Sequence, residues 1–190
     1  MTAVGVVVPI RAFALGKARL AHRLDDAARG ALGRRLAECV VGAAQDLPVL
    51  VVSSDADVRA WARERSLAVL EDPGSLDAAA TKGREWFAAK GYQRVVVAHA
   101  DLPRAASFTS VIRDAGQPIV TLVPCHRDDG TPVMSLPATA ELEFCYGPGS
   151  FRLHAAQARR LGLAVRVVRD PDLAFDVDTA ADLDLLESSS

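Results

Sequence analysis

The chain has 190 residues, of which 50% are hydrophobic and 24% are charged, so it can bury one sizeable core but hardly two. Its 22 basic and 24 acidic residues give a formal net charge of −2, which argues against a protein that coats nucleic acid or an anionic membrane. The apolar N-terminal stretch is short, is interrupted by Pro9 and follows no basic segment. We therefore expect no signal peptide, no membrane span and a cytoplasmic location.

Strands and helices alternate along the chain. Continuous apolar runs such as residues 5–10 are typical of strands that are buried on both faces of a parallel sheet. We predict strands at residues 5–10, 48–54, 68–72, 94–101, 118–124 and 163–170. We predict helices at residues 25–45, 55–66, 76–91, 105–115, 150–162 and 178–187. The alternation loosens over residues 125–149, which indicates an inserted or antiparallel part.

This pattern predicts a single α/β domain with a mostly parallel, mixed sheet flanked by helices. We expect the domain to cover residues 1–187 and residues 188–190 to form a frayed end. The three cysteines include no CxxC pair and have no matching histidine spacing. The sequence therefore indicates neither a disulfide framework nor a zinc site.

Ligands of such a sheet bind at the carboxyl ends of its strands, and a basic loop follows the first strand. Arg11, Lys17 and Arg19 in this loop could hold a polyphosphate, while Gly16 lets the backbone approach it closely. Neither GxxxxGK[ST] nor GxGxxG occurs there, so the loop is no Walker or Rossmann motif. The alternative is an exposed, solvated basic loop.

Carboxylates follow two other apolar segments. Asp101 ends a buried strand and is suited to Mg²⁺ that bridges nucleotide phosphates, since this ion prefers one or two carboxylates with phosphate oxygens and water. In "FDVDT", strand alternation places Asp176 and Asp178 on one side of the backbone. The alternatives are that Asp101 caps a turn, and that Asp178 or Thr179 caps the last helix.

The segment "YGPGSF" opens a helix, with Gly147 and Gly149 exposing the backbone and Ser150 expected at the cap position. Helix N-termini bind phosphate and carboxylate groups, although Gly-Pro-Gly-Ser also makes an ordinary loop and cap. Thr131 adds a hydroxyl donor. Four strand or helix ends thus carry anion-binding or metal-binding side chains, and this convergence favours one composite site.

The chain resembles a known family in five segments that run in order: VPIRAFALGKARLA, AHADLP, DDGT, FCYGPGSFRLHAAQARRLGLAVRVV and LAFDVDTAADL. They are similar to the 2-phospho-L-lactate guanylyltransferase family, which also contains the phosphoenolpyruvate guanylyltransferases of coenzyme F-420 biosynthesis. The resemblance implies a nucleotidyltransferase fold of the glycosyltransferase-A, Rossmann-like type. It also implies GTP as cosubstrate, Mg²⁺ as cofactor and a small phosphorylated carboxylic acid as acceptor, with a downstream transferase as a further partner.

The resemblance also implies roles for individual residues. Lys17 and Asp101 would be catalytic, and Asp101 and Asp178 would hold the metal. The nucleotide would contact Pro9, Arg11, Lys17, Arg19 and Asp77, and the acceptor would contact Thr131, Gly147 and Ser150. The acceptor's phosphate oxygen would attack the α-phosphorus of GTP and expel pyrophosphate.

Three positions depart from the usual family pattern and leave alternatives open. Asp77 and Pro132 stand where relatives commonly have asparagine, and Ala18 stands where they commonly have serine. His99, two residues before Asp101, would weaken the Mg²⁺ site if other members have a second carboxylate there. Phosphoenolpyruvate, 2-phospholactate and 3-phosphoglycerate all remain candidate acceptors. A nucleotidyltransferase for another acceptor or base, and a catalytically silent nucleotide-binding relative, are the competing hypotheses.

Overall fold

The computed structural model describes residues 3–13 and 15–188. Its strands are β1 Val4–Pro9, β2 Val49–Val52, β3 Ala68–Leu70, β4 Arg94–Ala98, β5 Ile119–Val123, β6 Val133–Pro137 and β7 Ala164–Val167. Its α-helices are α1 Asp26–Ala43, α2 Ala56–Glu64, α3 Leu76–Ala89, α4 Thr109–Ile112, α5 Ser150–Arg160, α6 Pro171–Ala174 and α7 Ala180–Glu187. A 3₁₀ segment covers Leu15–Leu20.

The strands form one mixed sheet in the order β3-β2-β1-β4-β6-β5-β7. β6 is antiparallel to β4 and to β5, and the other neighbours are parallel. The predicted α/β class and the antiparallel part within residues 125–149 are thereby confirmed. Because β6 runs in the opposite direction, its first residue, Val133, pairs with the last residue of β4, Ala98. Residues before β6 therefore lie at the same edge as residues after β4.

Helices cover both faces of the sheet, and apolar side chains fill each interface. One core cluster joins alternate residues of β1 to α1 and α2, with Trp61 among its fully buried members. The second cluster joins the opposite side chains of β1, β2 and β4 to α3 and α5. A third, smaller cluster packs Phe175, Val177 and Leu183 against Leu32 and Leu36 of α1. This last cluster holds the C-terminal segment beside the loop after β1.

Several predicted boundaries need correction. The helix expected at residues 105–115 is only the short α4, and α6 was not predicted from the sequence. The strand expected at residues 94–101 ends at Ala98, so Asp101 lies in the following turn. Asp25 caps α1, since its side chain accepts a hydrogen bond from the backbone N–H of Ala28.

Two further expectations concerned the C-terminal end and membrane spans. Residues 189 and 190 of the expected frayed end lie outside the described residues. Among the helices in the described ranges, we find none with the length and apolar character needed to cross a membrane.

Candidate active site

A cavity of about 310 Å³ lies at the carboxyl edge of the parallel strands. Its lining residues come from segment 9–13 after β1, segment 72–76 between β3 and α3, and segment 99–101 after β4, together with Lys17, Gly33 and Ala79. A Cβ atom on Gly33 would lie 2.5 Å from the backbone oxygen of Phe13. The absence of a side chain at this position thus allows α1 to approach the cavity wall closely.

Lys17 connects the loop after β1 to the predicted metal-binding carboxylates. Its side chain is only 5% exposed, and its Nζ donates hydrogen bonds to Asp101 Oδ2 at 2.8 Å and to the backbone oxygen of Val177 at 2.6 Å. The same Nζ lies 4.0 Å from Asp178 Oδ1. Its backbone departs from helical geometry, with φ −122° and ψ 38°. Buried Leu20 anchors the end of this segment in the cluster around α1.

The charge of Asp101 is stabilised in a largely enclosed setting. Burial alone would raise the pKa of its carboxyl, but the nearby Lys17 and, to a smaller extent, His99 hold that pKa below its usual range. Its Oδ1 is buried and has no hydrogen-bond partner among the described residues. A buried, unpaired oxygen on an ionised, partly buried carboxylate is costly, so this atom is suited to a cation or a donor from a ligand.

Asp176 and Asp178 project from the segment before α7. Phe175 and Val177 between them are buried, so alternation sends the two carboxylates to the opposite side, as predicted. Burial and the charge of Asp101 raise the pKa of the Asp176 carboxyl. Thr179 caps α7 and forms a capping box with Asp182, which leaves Asp178 outside the cap.

The donor set fits a magnesium ion that is shared with phosphate. Within the described part of the chain, no three His, Cys, Asp or Glu side chains are close enough to hold a metal by themselves. Asp101 and Asp178 both lie within 4.0 Å of Lys17 Nζ, and Asp101 keeps an unpaired oxygen. One or two carboxylates completed by phosphate oxygens and water is the usual arrangement for Mg²⁺.

Of the other predicted nucleotide contacts, two line the cavity and two lie outside its lining. Pro9 and Arg11 line the cavity. The side chain of Arg19 is 74% exposed and donates to Asp178 Oδ2 at 3.1 Å, outside the cavity lining. Asp77 in the first turn of α3 also lies outside that lining, and its Oδ1 accepts a hydrogen bond from the backbone N–H of Tyr146 at 2.7 Å.

The predicted acceptor residues meet at the start of α5. Thr131 Oγ1 and Ser150 Oγ are 3.3 Å apart, and each residue is about 1% exposed. Gly149, with a positive φ of 75°, is the cap of α5, so the expectation that Ser150 caps it was wrong. Several N-terminal amides already have partners: Gly149 N–H donates to Asp129 Oδ1, and Ser150 N–H to the oxygen of Gly147. Some of the backbone N–H groups that we expected to be free for a ligand at this helix start are thus already hydrogen-bonded within the protein.

Two aromatic residues near the cavity were not predicted as site residues from the sequence. His99 lines the cavity, and its ring centroid lies 5.1 Å from that of Tyr146. His99 Nε2 and the Tyr146 hydroxyl are both buried without a hydrogen-bond partner among the described residues. The turn with Asp72, Gly74 and Ser75 was also missed, although the rule that sites follow strand ends applies to β3 as well.

Comparisons with known proteins agree with this arrangement. The family model described as "Guanylyl transferase CofC like" matches residues 4–187. A phosphoenolpyruvate guanylyltransferase from Rubrobacter xylanophilus is 35% identical over an alignment that covers 96% of this chain and 93% of that protein. A 2-phospho-L-lactate guanylyltransferase from Methanothermobacter thermautotrophicus is 31% identical over 93% of this chain and 81% of that protein.

Solved structures support the fold. A candidate nucleotide-diphospho-sugar transferase from Desulfovibrio desulfuricans G20 superposes with a TM-score of 0.80 at 17% identity, over 100% of this chain and 88% of that chain. The likeness confirms the predicted nucleotidyltransferase fold of the glycosyltransferase-A type. With the family match over nearly the whole length, it follows that the chain belongs to the CofC-like guanylyltransferase family and is a nucleotidyltransferase.

Proposed function

We propose that the protein transfers GMP from GTP to the phosphate of a small three-carbon acid and releases pyrophosphate, as a step of coenzyme F-420 biosynthesis. The candidate acceptors are phosphoenolpyruvate, 2-phospho-L-lactate and 3-phosphoglycerate. The observation that carries this proposal is the position of Lys17, whose ammonium lies between Asp101 and Asp178 beside a cavity of about 310 Å³. The names of the related proteins supply the base and the acceptor class.

The nucleotide would occupy the cavity, with its triphosphate toward Lys17. Arg11 and Lys17 offer positive charge at the cavity wall, and Pro9 holds the turn that delivers them. Arg19 would reach the phosphates from the exposed side. Asp77 would accept hydrogen bonds from guanine through Oδ2, because its Oδ1 is held by the backbone of Tyr146.

Asp101 and Asp178 would hold the magnesium ion. When bound, this ion would neutralise phosphate charge and orient the triphosphate for displacement at the α-phosphorus. Lys17 Nζ donates a hydrogen bond to Asp101 and lies 4.0 Å from Asp178 Oδ1. From this position its ammonium can also offset the charge of the departing pyrophosphate.

The acceptor would lie against Thr131, Gly147 and Ser150. Since both hydroxyl residues are about 1% exposed, a ligand could reach them only after the covering residues shift. A phosphate group is already ionised near neutral pH, so its oxygen can attack without a strong general base. The tasks left to the protein are positioning and charge neutralisation.

The test is an assay of pyrophosphate release with mass detection of the product. GTP and magnesium are supplied with each of the three acids in parallel, and ATP and CTP then replace GTP. A guanylylated product with one acid is expected. Folded protein that binds GTP but yields no product with any acid would overturn the proposal in favour of another acceptor or a silent relative.

A further inference from the structure

Three buried polar side chains form a chain of hydrogen bonds that includes two of the proposed acceptor contacts. His154, Thr131 and Ser150 are 0%, 1% and 1% exposed. His154 Nδ1 lies 3.1 Å from Thr131 Oγ1, which lies 3.3 Å from Ser150 Oγ. The other ring nitrogen, His154 Nε2, accepts a hydrogen bond from the backbone N–H of Cys145 at 3.0 Å. We call His154, Thr131 and Ser150 the hydroxyl relay.

The backbone of Cys145 sets the direction of the first hydrogen bond in the relay, from His154 to Thr131. Because His154 Nε2 accepts a proton from an amide, a neutral imidazole must carry its own hydrogen on Nδ1. Burial lowers the pKa of His154 to about 4, which keeps the ring neutral near pH 7. Nδ1 therefore donates to Thr131 Oγ1, so the hydrogen of Thr131 cannot point at His154, and the other oxygen beside it among the described residues is Ser150 Oγ.

When Thr131 donates to Ser150 Oγ, Ser150 retains a free hydrogen, whereas the reverse direction would leave the hydrogen of Thr131 without a partner among the described residues. Within the described part of the chain, the hydroxyl of Ser150 has no second hydrogen-bond partner besides Thr131. Two adjacent rings connect the relay to the cavity: the Tyr146 ring lies 5.0 Å from that of His154 and 5.1 Å from that of His99, which lines the cavity.

We propose that His154 is a positioning residue, which acts through Thr131 to turn the hydrogen of Ser150 toward an anionic oxygen of the acceptor acid. A serine held in the opposite sense would present lone pairs to that oxygen and repel it. The inference rests on the proposed function, since it needs Ser150 at the acceptor site. It goes further in assigning a direction to the hydrogen bonds and a task to a histidine that touches no substrate.

Two substitutions of His154 by amide residues separate its hydrogen bond with Thr131 from its hydrogen bond with Cys145. In His154→Asn the side-chain amide lies near the position of Nδ1 and can still donate to Thr131. In His154→Gln the amide lies near Nε2 and can serve Cys145 but not Thr131. We expect His154→Gln to raise the KM of the acceptor about tenfold or more, the scale of a lost hydrogen bond to a charged group, and to leave the KM of GTP unchanged.

His154→Asn is expected to keep the acceptor KM close to that of the wild type, and His22→Gln, at an exposed histidine, is the matched control. A purely structural role for His154 predicts a different result, in which both variants lower the melting temperature and change all kinetic constants together. That result would overturn the proposal.

A double-mutant cycle with Ser150→Ala tests the route of the effect. If His154 acts through Ser150, adding His154→Gln to Ser150→Ala changes the acceptor KM no further. Additive effects would refute the relay. If Ser150→Ala alone leaves the acceptor KM unchanged, Ser150 is outside the acceptor site, and the acceptor placement under the proposed function fails with it.

A measurement without substrate keeps the two failures apart. Long-range ¹H–¹⁵N NMR of the histidine rings in the full chain reports which nitrogen of His154 carries the hydrogen. We expect Nδ1 to be protonated at pH 7. Protonation of Nε2 would refute the relay even if the enzyme proves active, whereas Nδ1 protonation in an inactive protein would leave the relay standing without the proposed reaction.

Discussion

Lys17 Nζ donates to Asp101 Oδ2 at 2.8 Å across 84 positions of sequence. The contact joins the loop after β1 to the turn after β4, which are neighbouring strands of the sheet. A bond from Lys17 to the backbone oxygen of Val177 adds the C-terminal segment. One buried ammonium thus joins three segments that carry proposed phosphate and metal ligands.

Replacement of Lys17 by alanine should reduce turnover by about a hundredfold or more, because the developing charge on the leaving pyrophosphate would lose its main protein donor. The measurement is steady-state pyrophosphate release at saturating GTP. Lys90→Ala, at an exposed lysine on the far end of α3, is the control and should retain full turnover. Near-normal turnover in folded Lys17→Ala protein would remove Lys17 from the site.

Asp101→Asn should likewise lower turnover by about a hundredfold, since an amide binds a divalent cation more weakly than a carboxylate does. A magnesium titration of activity should show a higher half-saturating concentration for Asp101→Asn and for Asp178→Asn. Asp184→Asn, at an exposed residue of α7, serves as the control. Excess chelator should stop the wild-type reaction, and activity that survives chelation would exclude a magnesium-dependent mechanism.

The sequence predicted the site where local rules apply. Residues after the apolar runs of β1 and β4 were expected at one edge of a parallel sheet, and Arg11, Lys17 and Asp101 do lie there. The alternation in "FDVDT" correctly separated Asp176 and Asp178 from Phe175 and Val177, which are buried. These predictions depended on strand direction and side-chain period, which a short segment of sequence already contains.

Contacts between distant segments could not be predicted in this way. Asp77 was considered for the base, but one of its oxygens is bonded to the backbone of Tyr146, 69 positions away. His154 was not considered for the site at all, because its role depends on Thr131 and on the amide of Cys145. Such partners are set by tertiary packing, which periodicity does not encode.

The contact between Asp77 and Tyr146 makes base selection a specific test. Asp77→Asn keeps one oxygen for the amide of Tyr146 but loses an acceptor for the N–H groups of guanine. We expect the ratio of kcat/KM for GTP over ATP to fall by about tenfold, as a lost charged hydrogen bond would produce. Asp57→Asn, at an exposed residue of α2, is the control. An unchanged ratio would limit Asp77 to holding the segment before α5.

Arg94 at the start of β4 is expected to be important for stability rather than catalysis. It is 1% exposed and donates to the backbone oxygens of Ala115, Gln117 and Ile119 and to Ser135 Oγ. Arg94→Met would leave these acceptors unpaired and should cost about 3 kcal/mol or more of unfolding free energy.

Urea denaturation measures this cost, with Arg35→Met at an exposed position of α1 as the control. A midpoint close to that of the wild type, with an unchanged slope, would show that water or a shifted side chain satisfies these acceptors. Because Arg94 lies at the edge opposite the cavity, kcat should stay unchanged at temperatures where the variant is folded.

The buried ring of His154 predicts how stability depends on pH. Burial lowers its pKa to about 4 in the folded protein, whereas an unfolded histidine titrates near pH 6.5. Between these values the unfolded chain binds a proton that the folded chain does not, so stability falls as the pH falls from about 6.5 to 4. The contribution of this one group is about 3 kcal/mol at the lower end.

Urea unfolding at a series of pH values from 7 to 4.5 measures this slope. His154→Asn cannot take up a proton and should flatten the curve by up to one proton in this range, while His22→Asn, at an exposed histidine, should not. An equal slope in wild type and His154→Asn would mean that the folded protein protonates His154 at little cost. A charged ring could no longer accept the amide of Cys145, whereas its Nδ1 would still donate to Thr131 Oγ1.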